Sequence, residues 1–187
     1  MDIQELLVKA EEALKVQKID QAKSIYASVL EISPKDFEAN TNLGILNITS
    51  NSLDKGLTLL KIALDNHPQK GMAWTNYIKY LMFCGKYKNA SEVVDKGKKH
   101  GLIGDTIDQY EILSYLANNS RFLSESNKII SFFIQGKYKE ILELESNLNS
   151  GIFQESSYNY IIGICLLSLG LHKDSIQRFK KSIKLKP

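Results

Sequence analysis

Val29-Leu30-Glu31-Ile32-Ser33-Pro34 carries apolar side chains straight into a proline, and 34 residues later a second proline, Pro68, closes a comparable run. Proline removes a backbone N–H and disfavours helix in the residue before it, so each run ends one helical hairpin and starts the next. The third proline, Pro187, closes the last unit. A pattern that repeats every 34 residues predicts a helical repeat array, whose function lies on its surfaces.

Counting back from each proline brings other positions into phase. Ala10 falls with Gly44 and Gly163, Ala22 with Gly56 and Ser175, Tyr26 with Leu60 and Phe179, and Val29 with Ala63 and Ser182. Trp74, Ala90 and Val94 follow in the next unit. Two helices that cross closely need small side chains at the crossing, which Ala10 with Ala22 and Gly44 with Gly56 supply, while Tyr26, Leu60, Val94 and Phe179 fill the adjoining layer. Two mid-helix glycines cost about 1 kcal/mol each relative to alanine, which close backbone approach offsets.

These recurring classes resemble the tetratricopeptide repeat family. The matching stretches are Asn42-Leu43-Gly44, Trp74-Thr75-Asn76-Tyr77, Ala22 with Tyr26, and Ile162-Gly163. They reproduce the small-residue, aromatic and proline positions of that 34-residue motif, and the resemblance covers nearly the whole chain. It implies an all-α fold: a tetratricopeptide-type helical-hairpin solenoid, coiled into an α-α superhelix.

Three hairpins are expected over 3–36, 37–70 and 71–104, with turns at Gln17-Lys18-Ile19-Asp20, Ser50-Asn51-Ser52 and Cys84-Gly85-Lys86. Asp20 and Ser52 are expected as caps or first-turn residues of the second helices. The phase then slips by half a repeat. One extra helix over about 105–118 accounts for this, so the expected organisation is three repeats in 1–104, an extra helix and linker in 105–121, and two further repeats in 122–187. The first of those is degenerate: Gly136-Lys137-Tyr138-Lys139-Glu140 marks its turn, and Gly151 stands where proline is usual.

With 43% hydrophobic and 24% charged residues among 187, the chain has the composition of an ordinary water-soluble protein. Its longest apolar cluster, Ile161 to Leu169, is broken by a glycine and a serine and falls short of the roughly 20 residues of a membrane span. Met1-Asp2-Ile3-Gln4-Glu5 is acidic where a secretory signal is basic, so the expected compartment is the cytoplasm. Cys84 and Cys165 belong to no metal or redox motif and are expected to be reduced packing residues.

No catalytic or metal site is expected, and no cofactor. His67, His100 and His172 lack partners at ligand spacing, and no phosphate loop, nucleophile elbow or H-E-x-x-H is present. The net charge of +3 comes almost entirely from lysines. Clusters such as Lys96-Gly97-Lys98-Lys99-His100 sit in last helical turns, where cations complement the helix dipole, so nucleic acid is not the expected partner.

The resemblance implies a protein or extended-peptide partner held on the concave face built by the first helix of each hairpin. That face is expected to present Thr41, Asn42 and Ile45 in the second repeat, and Thr75, Asn76, Lys79, Met82 and Phe83 in the third. Apolar residues such as Met82 and Phe83 also fit core contacts. Asn42 and Asn76 lie one period apart, as in the asparagine ladder by which the arrays of O-linked N-acetylglucosamine transferases hold a peptide backbone; an amide donates and accepts at once. A clamp for a C-terminal carboxylate is not expected, because Leu7, Glu11, Met72 and Asn76 stand where the family's clamp needs other groups.

The layout also resembles the N-terminal repeat regions that bacteria fuse to sulfotransferases or glycosyltransferases. This makes a targeting or regulatory module of a larger transferase the alternative reading, and a nucleic-acid binder the third. The chain stops at Pro187 with no polar capping helix beyond the last repeat, so a continuation, or self-association through an exposed terminal repeat, is a further expectation.

Overall fold

The computed structural model describes residues 2–148 and 150–185. Pro187 lies outside the described residues. Eleven α-helices follow one another: α1 (Ile3–Lys15), α2 (Ile19–Ile32), α3 (Phe37–Thr49), α4 (Leu53–Asn66), α5 (Gly71–Phe83), α6 (Tyr87–Lys99), α7 (Asp105–Asn119), α8 (Leu123–Ile134), α9 (Tyr138–Leu144), α10 (Ser156–Ser168) and α11 (His172–Leu185). Two 3-10 turns, Glu145–Asn147 and Ser150–Gln154, link α9 to α10, and no strand occurs among the described residues. The fold is all-α, of the tetratricopeptide helical-hairpin type. It divides into two compact units, one ending at Tyr80 and the other beginning at Leu81.

One turn geometry builds the hairpins. Gln17, Asn51, Gly85, Gly136 and Gly170 all adopt φ between 57° and 77°. In each case the next residue's N–H returns to a carbonyl five residues earlier: Lys18 to Ala13 (2.9 Å), Ser52 to Asn47 (2.8 Å), Lys86 to Leu81 (2.8 Å), Lys137 to Phe132 (2.9 Å) and Leu171 to Leu166 (2.9 Å). This is the Schellman closure, in which a left-handed residue satisfies the last carbonyls of a helix and reverses the chain. The turns at 17, 51 and 85 keep the 34-residue spacing, as do those at 136 and 170. Between 85 and 136 the interval is one and a half periods, and α7 lies there.

In the first unit, α1 packs on α2, α2 on α3, and α3 on α4. Ala10, Ala22, Tyr26 and Val29 are fully buried. The α3/α4 crossing is tighter than alanine would permit: a Cβ on Gly56 would overlap the Ile48 side chain and stand 2.5 Å from the Gly44 carbonyl oxygen. Asp36, rather than Asp20 or Ser52, supplies a side-chain cap, its Oδ1 accepting from the Ala39 N–H at 2.8 Å. Asp20 is a first-turn residue of α2, and Ser52 occupies the cap position of α4 without a side-chain bond.

A second recurring bond fixes where hairpins begin. The side chains of Asn40, Trp74 and Asn159 each donate to the carbonyl six residues earlier, those of Pro34 (3.0 Å), Pro68 (2.8 Å) and Phe153 (3.0 Å). Asn40 and Trp74 are one period apart, and Asn159 lies three and a half periods after Asn40. Asparagine thus replaces the tryptophan of this position twice while preserving its N–H donor.

In the second unit, α7 packs against α6, α8 and α10, and α10 pairs closely with α11. Ile129 and Ile130 of α8 and Ile141 of α9 are fully buried. The irregular stretch before α10 is tied down by Arg178, whose Nη2 donates to both oxygens of Glu145 (2.8 and 3.0 Å), and by the Tyr158 hydroxyl, which donates to the same carboxylate at 2.6 Å. Burial, then the Glu145 carboxylate, pushes the Tyr158 hydroxyl far above the ordinary phenol range. Cys165 is buried and its thiol is pushed up to about 12 by desolvation, which leaves it an unreactive packing group.

Candidate peptide-binding surface

Glu38, Thr41, Asn42 and Ile45 fall at helical spacing i, i+3, i+4 and i+7, so they form one stripe of α3. Thr75, Asn76 and Lys79 repeat it on α5 one period later. The structure grades these positions by access. Asn42, Ile45, Thr75, Asn76 and Lys79 are half-buried. Thr41 is only 6% exposed and its hydroxyl has no partner. Met82 is 2% exposed, a core side chain, whereas Phe83 next to it is 41% exposed. Both belong to the second unit. Burial therefore withdraws Thr41 and Met82 from any surface contact in this conformation.

The two asparagines differ. Asn42 Nδ2 donates to the Tyr26 hydroxyl at 3.0 Å, which anchors the amide to α2 and leaves its carbonyl oxygen as the acceptor. One period on, the residue in register with Tyr26 is Leu60, which has no hydroxyl. The Asn76 side-chain amide, half-buried, makes no hydrogen bond among the described residues, so its donor and its acceptor are both unused. Nearby, Thr75 Oγ1 donates to the Met72 carbonyl (3.3 Å), and the Lys79 ammonium stands 5.8 Å from the centroid of the Tyr80 ring.

The α3 stripe is electrostatically negative. Burial, then the neighbouring Glu11 and Asp36, raises the Glu38 carboxyl above its ordinary value, with Lys70 opposing. The Tyr26 hydroxyl is raised chiefly by burial and further by Glu38 and Glu11, against the Asn42 bond. Carboxylates from α1 and α3 therefore act together on the Tyr26–Asn42 pair. Sequence reasoning treated Tyr26 as a core filler and passed over Glu38. The available signal was its spacing, four residues before Asn42 on the same face.

Among the described residues no group of three or more His, Cys, Asp or Glu side chains is placed to hold a metal ion. Among the same residues no helix is long and apolar enough to cross a membrane.

Helical hairpins closed by recurring Schellman turns, with polar residues in register on their first helices, define a helical-repeat fold of the tetratricopeptide type. Solved structures of similar fold include MamA of AMB-1 (22% identity, 96% of each chain covered, TM-score 0.54). MamA from Desulfovibrio magneticus RS-1 is also similar (16% identity, all of this chain and 96% of that one, TM-score 0.58). So is YrrB, described as a TPR protein with an unusual peptide-binding site (12% identity, all of this chain and 87% of that one, TM-score 0.57). No protein-family model matches the chain, and no curated protein matches it by sequence.

Proposed function

We propose that this protein is a non-catalytic interaction scaffold that holds an extended peptide segment of a partner protein along the polar stripe of α3 and α5. The observation that carries the reading is the Asn76 amide, which keeps both hydrogen-bonding groups available one period from the anchored Asn42. Such an amide pairs with a peptide N–H and C=O without selecting a side chain. The fold shared with YrrB, whose own description names a peptide-binding site, supports it. Thr75, Lys79 and Ile45 flank the amides as polar and apolar neighbours.

The test is fluorescence anisotropy with labelled peptides selected on this protein from a display library. Asn76→Ala is expected to weaken binding about fivefold or more, the worth of one or two lost amide bonds at about 1 kcal/mol each. Asn42→Ala plus Asn76→Ala is expected to weaken it further. Undiminished affinity in the double variant, with its helical circular dichroism intact, would sink the ladder.

A further inference from the structure

A separate concavity lies wholly within the second unit. A groove of about 770 Å³ opens between the C-terminal half of α7, the N-terminus of α10 and the last turns of α11. That volume is of the size that accommodates several side chains. Its apolar wall includes Ile112, Tyr115, Tyr160 and Ile183, and two of these are unusually open: Tyr115 is 62% exposed and Ile183 74%. Exposed aromatic and branched side chains gathered along a groove are the composition of a binding surface rather than of a solvated helix face.

The polar side of the groove is held in place. Ser156 and Ser182 each donate from their hydroxyls to the other's carbonyl, both at 2.9 Å, which joins α10 to α11 at the base. Glu155 Oε1 accepts from the Ser120 hydroxyl (2.9 Å) and the Arg121 N–H (3.3 Å). Its second oxygen, Oε2, makes no bond to the described residues and remains as a fixed acceptor. Glu111 also lines the groove, and it shares the single ammonium of Lys98 with Asp108 (2.6 and 3.5 Å). The field of this acidic edge reaches the groove: the Tyr160 hydroxyl is raised by burial, then by Asp108 and Asp105. In a chain of net charge +3, the lining of the groove carries two carboxylates, Glu111 and Glu155, against the one cation of Arg121.

We propose that this groove is a second peptide-binding site, which takes an extended segment carrying a bulky apolar side chain beside a lysine or arginine. The apolar side chain lies against Tyr115 and Ile183, and the cation is drawn to the free oxygen of Glu155 and to Glu111. A negative groove on a positive protein selects its ligand by charge as well as by shape, since a like-charged peptide is repelled.

The experiment uses the full chain, ¹⁵N-labelled, titrated with two amidated and acetylated hexapeptides: one alternating phenylalanine or leucine with lysine, the other with glutamate at every lysine position. The lysine peptide is expected to shift amide signals of α7, α10 and α11, and the glutamate peptide to leave them in place. Tyr115→Ala plus Ile183→Ser is expected to weaken the lysine peptide at least fivefold; both side chains are largely exposed, so the fold is retained. Equal shifts from both peptides, shifts confined to other helices, no shifts from either, or undiminished affinity in the double variant would each overturn the assignment.

Discussion

Asn47 occupies a position that Leu81 and Leu166 fill one period and three and a half periods later. Its Nδ2 is buried without an acceptor. An orphaned buried donor costs about 1–3 kcal/mol, and leucine has nearly the same volume. Asn47→Leu is therefore expected to stabilise the protein by about 1 kcal/mol or more, read as a higher urea midpoint; a lower midpoint would show that the amide has a role the packing conceals. Glu38 gives a pH-dependent counterpart. Because its folded carboxyl is raised above the ordinary value, the folded chain holds its proton longer than the unfolded one. The resulting stability is fully present below the ordinary carboxylate range, about pH 4.3, and is lost as pH rises through the folded value. At neutral pH the ionised group is a burden, so Glu38→Gln is expected to melt higher than the parent at pH 7 and together with it at pH 3. A gap of equal size at both pH values would contradict the assigned cause.

At the scale of elements, the hairpins were legible because their turns carry the residues that reverse a chain. Ser50-Asn51-Ser52, Cys84-Gly85-Lys86 and Gly136-Lys137 each contain the left-handed residue that closes a helix. The tight α3/α4 crossing was legible for a similar reason, since paired glycines at mid-helix call for a neighbouring backbone. Other features follow from packing that periodicity does not carry. A stripe of one helix does not reveal whether neighbours cover it, so Thr41, expected on the exposed face, is buried, and Met82, which fitted the face or the core, is a core side chain, while Asn42 beside Thr41 is half-buried and bonded to Tyr26. The short α9 and the two 3-10 turns after it were not legible either. Their order comes from Glu145, Tyr158 and Arg178, residues far apart in the chain whose pairing no local spacing announces. Nor was the groove beside α10, whose walls come from three separated helices.

At the scale of the whole molecule, the chain divides into two compact units, and within the first the contacts run from each helix to the next, as in repeat proteins generally. Damage in one place should therefore stay local. Gly56→Ala forces a Cβ against the Gly44 carbonyl, an overpacking that costs about 1–3 kcal/mol and exceeds the helix-propensity gain of about 1 kcal/mol. Native-state hydrogen exchange is expected to show faster exchange in α3 and α4 while the amides of α10 and α11 keep their protection. A uniform loss across the chain would mean that the molecule unfolds as one body.

The bond from Asn40, Trp74 or Asn159 to the carbonyl six residues upstream has a consequence for how such a chain tolerates change. Each hairpin that carries it establishes its own starting point, from donor and acceptor both within seven residues of sequence. The α10/α11 hairpin therefore finds its register without measuring its distance from the hairpins before it, and a displacement of half a period between Asn40 and Asn159 is absorbed rather than passed on. An insertion between hairpins, which would scramble a strand register or a heptad, leaves each of these local bonds with both of its partners.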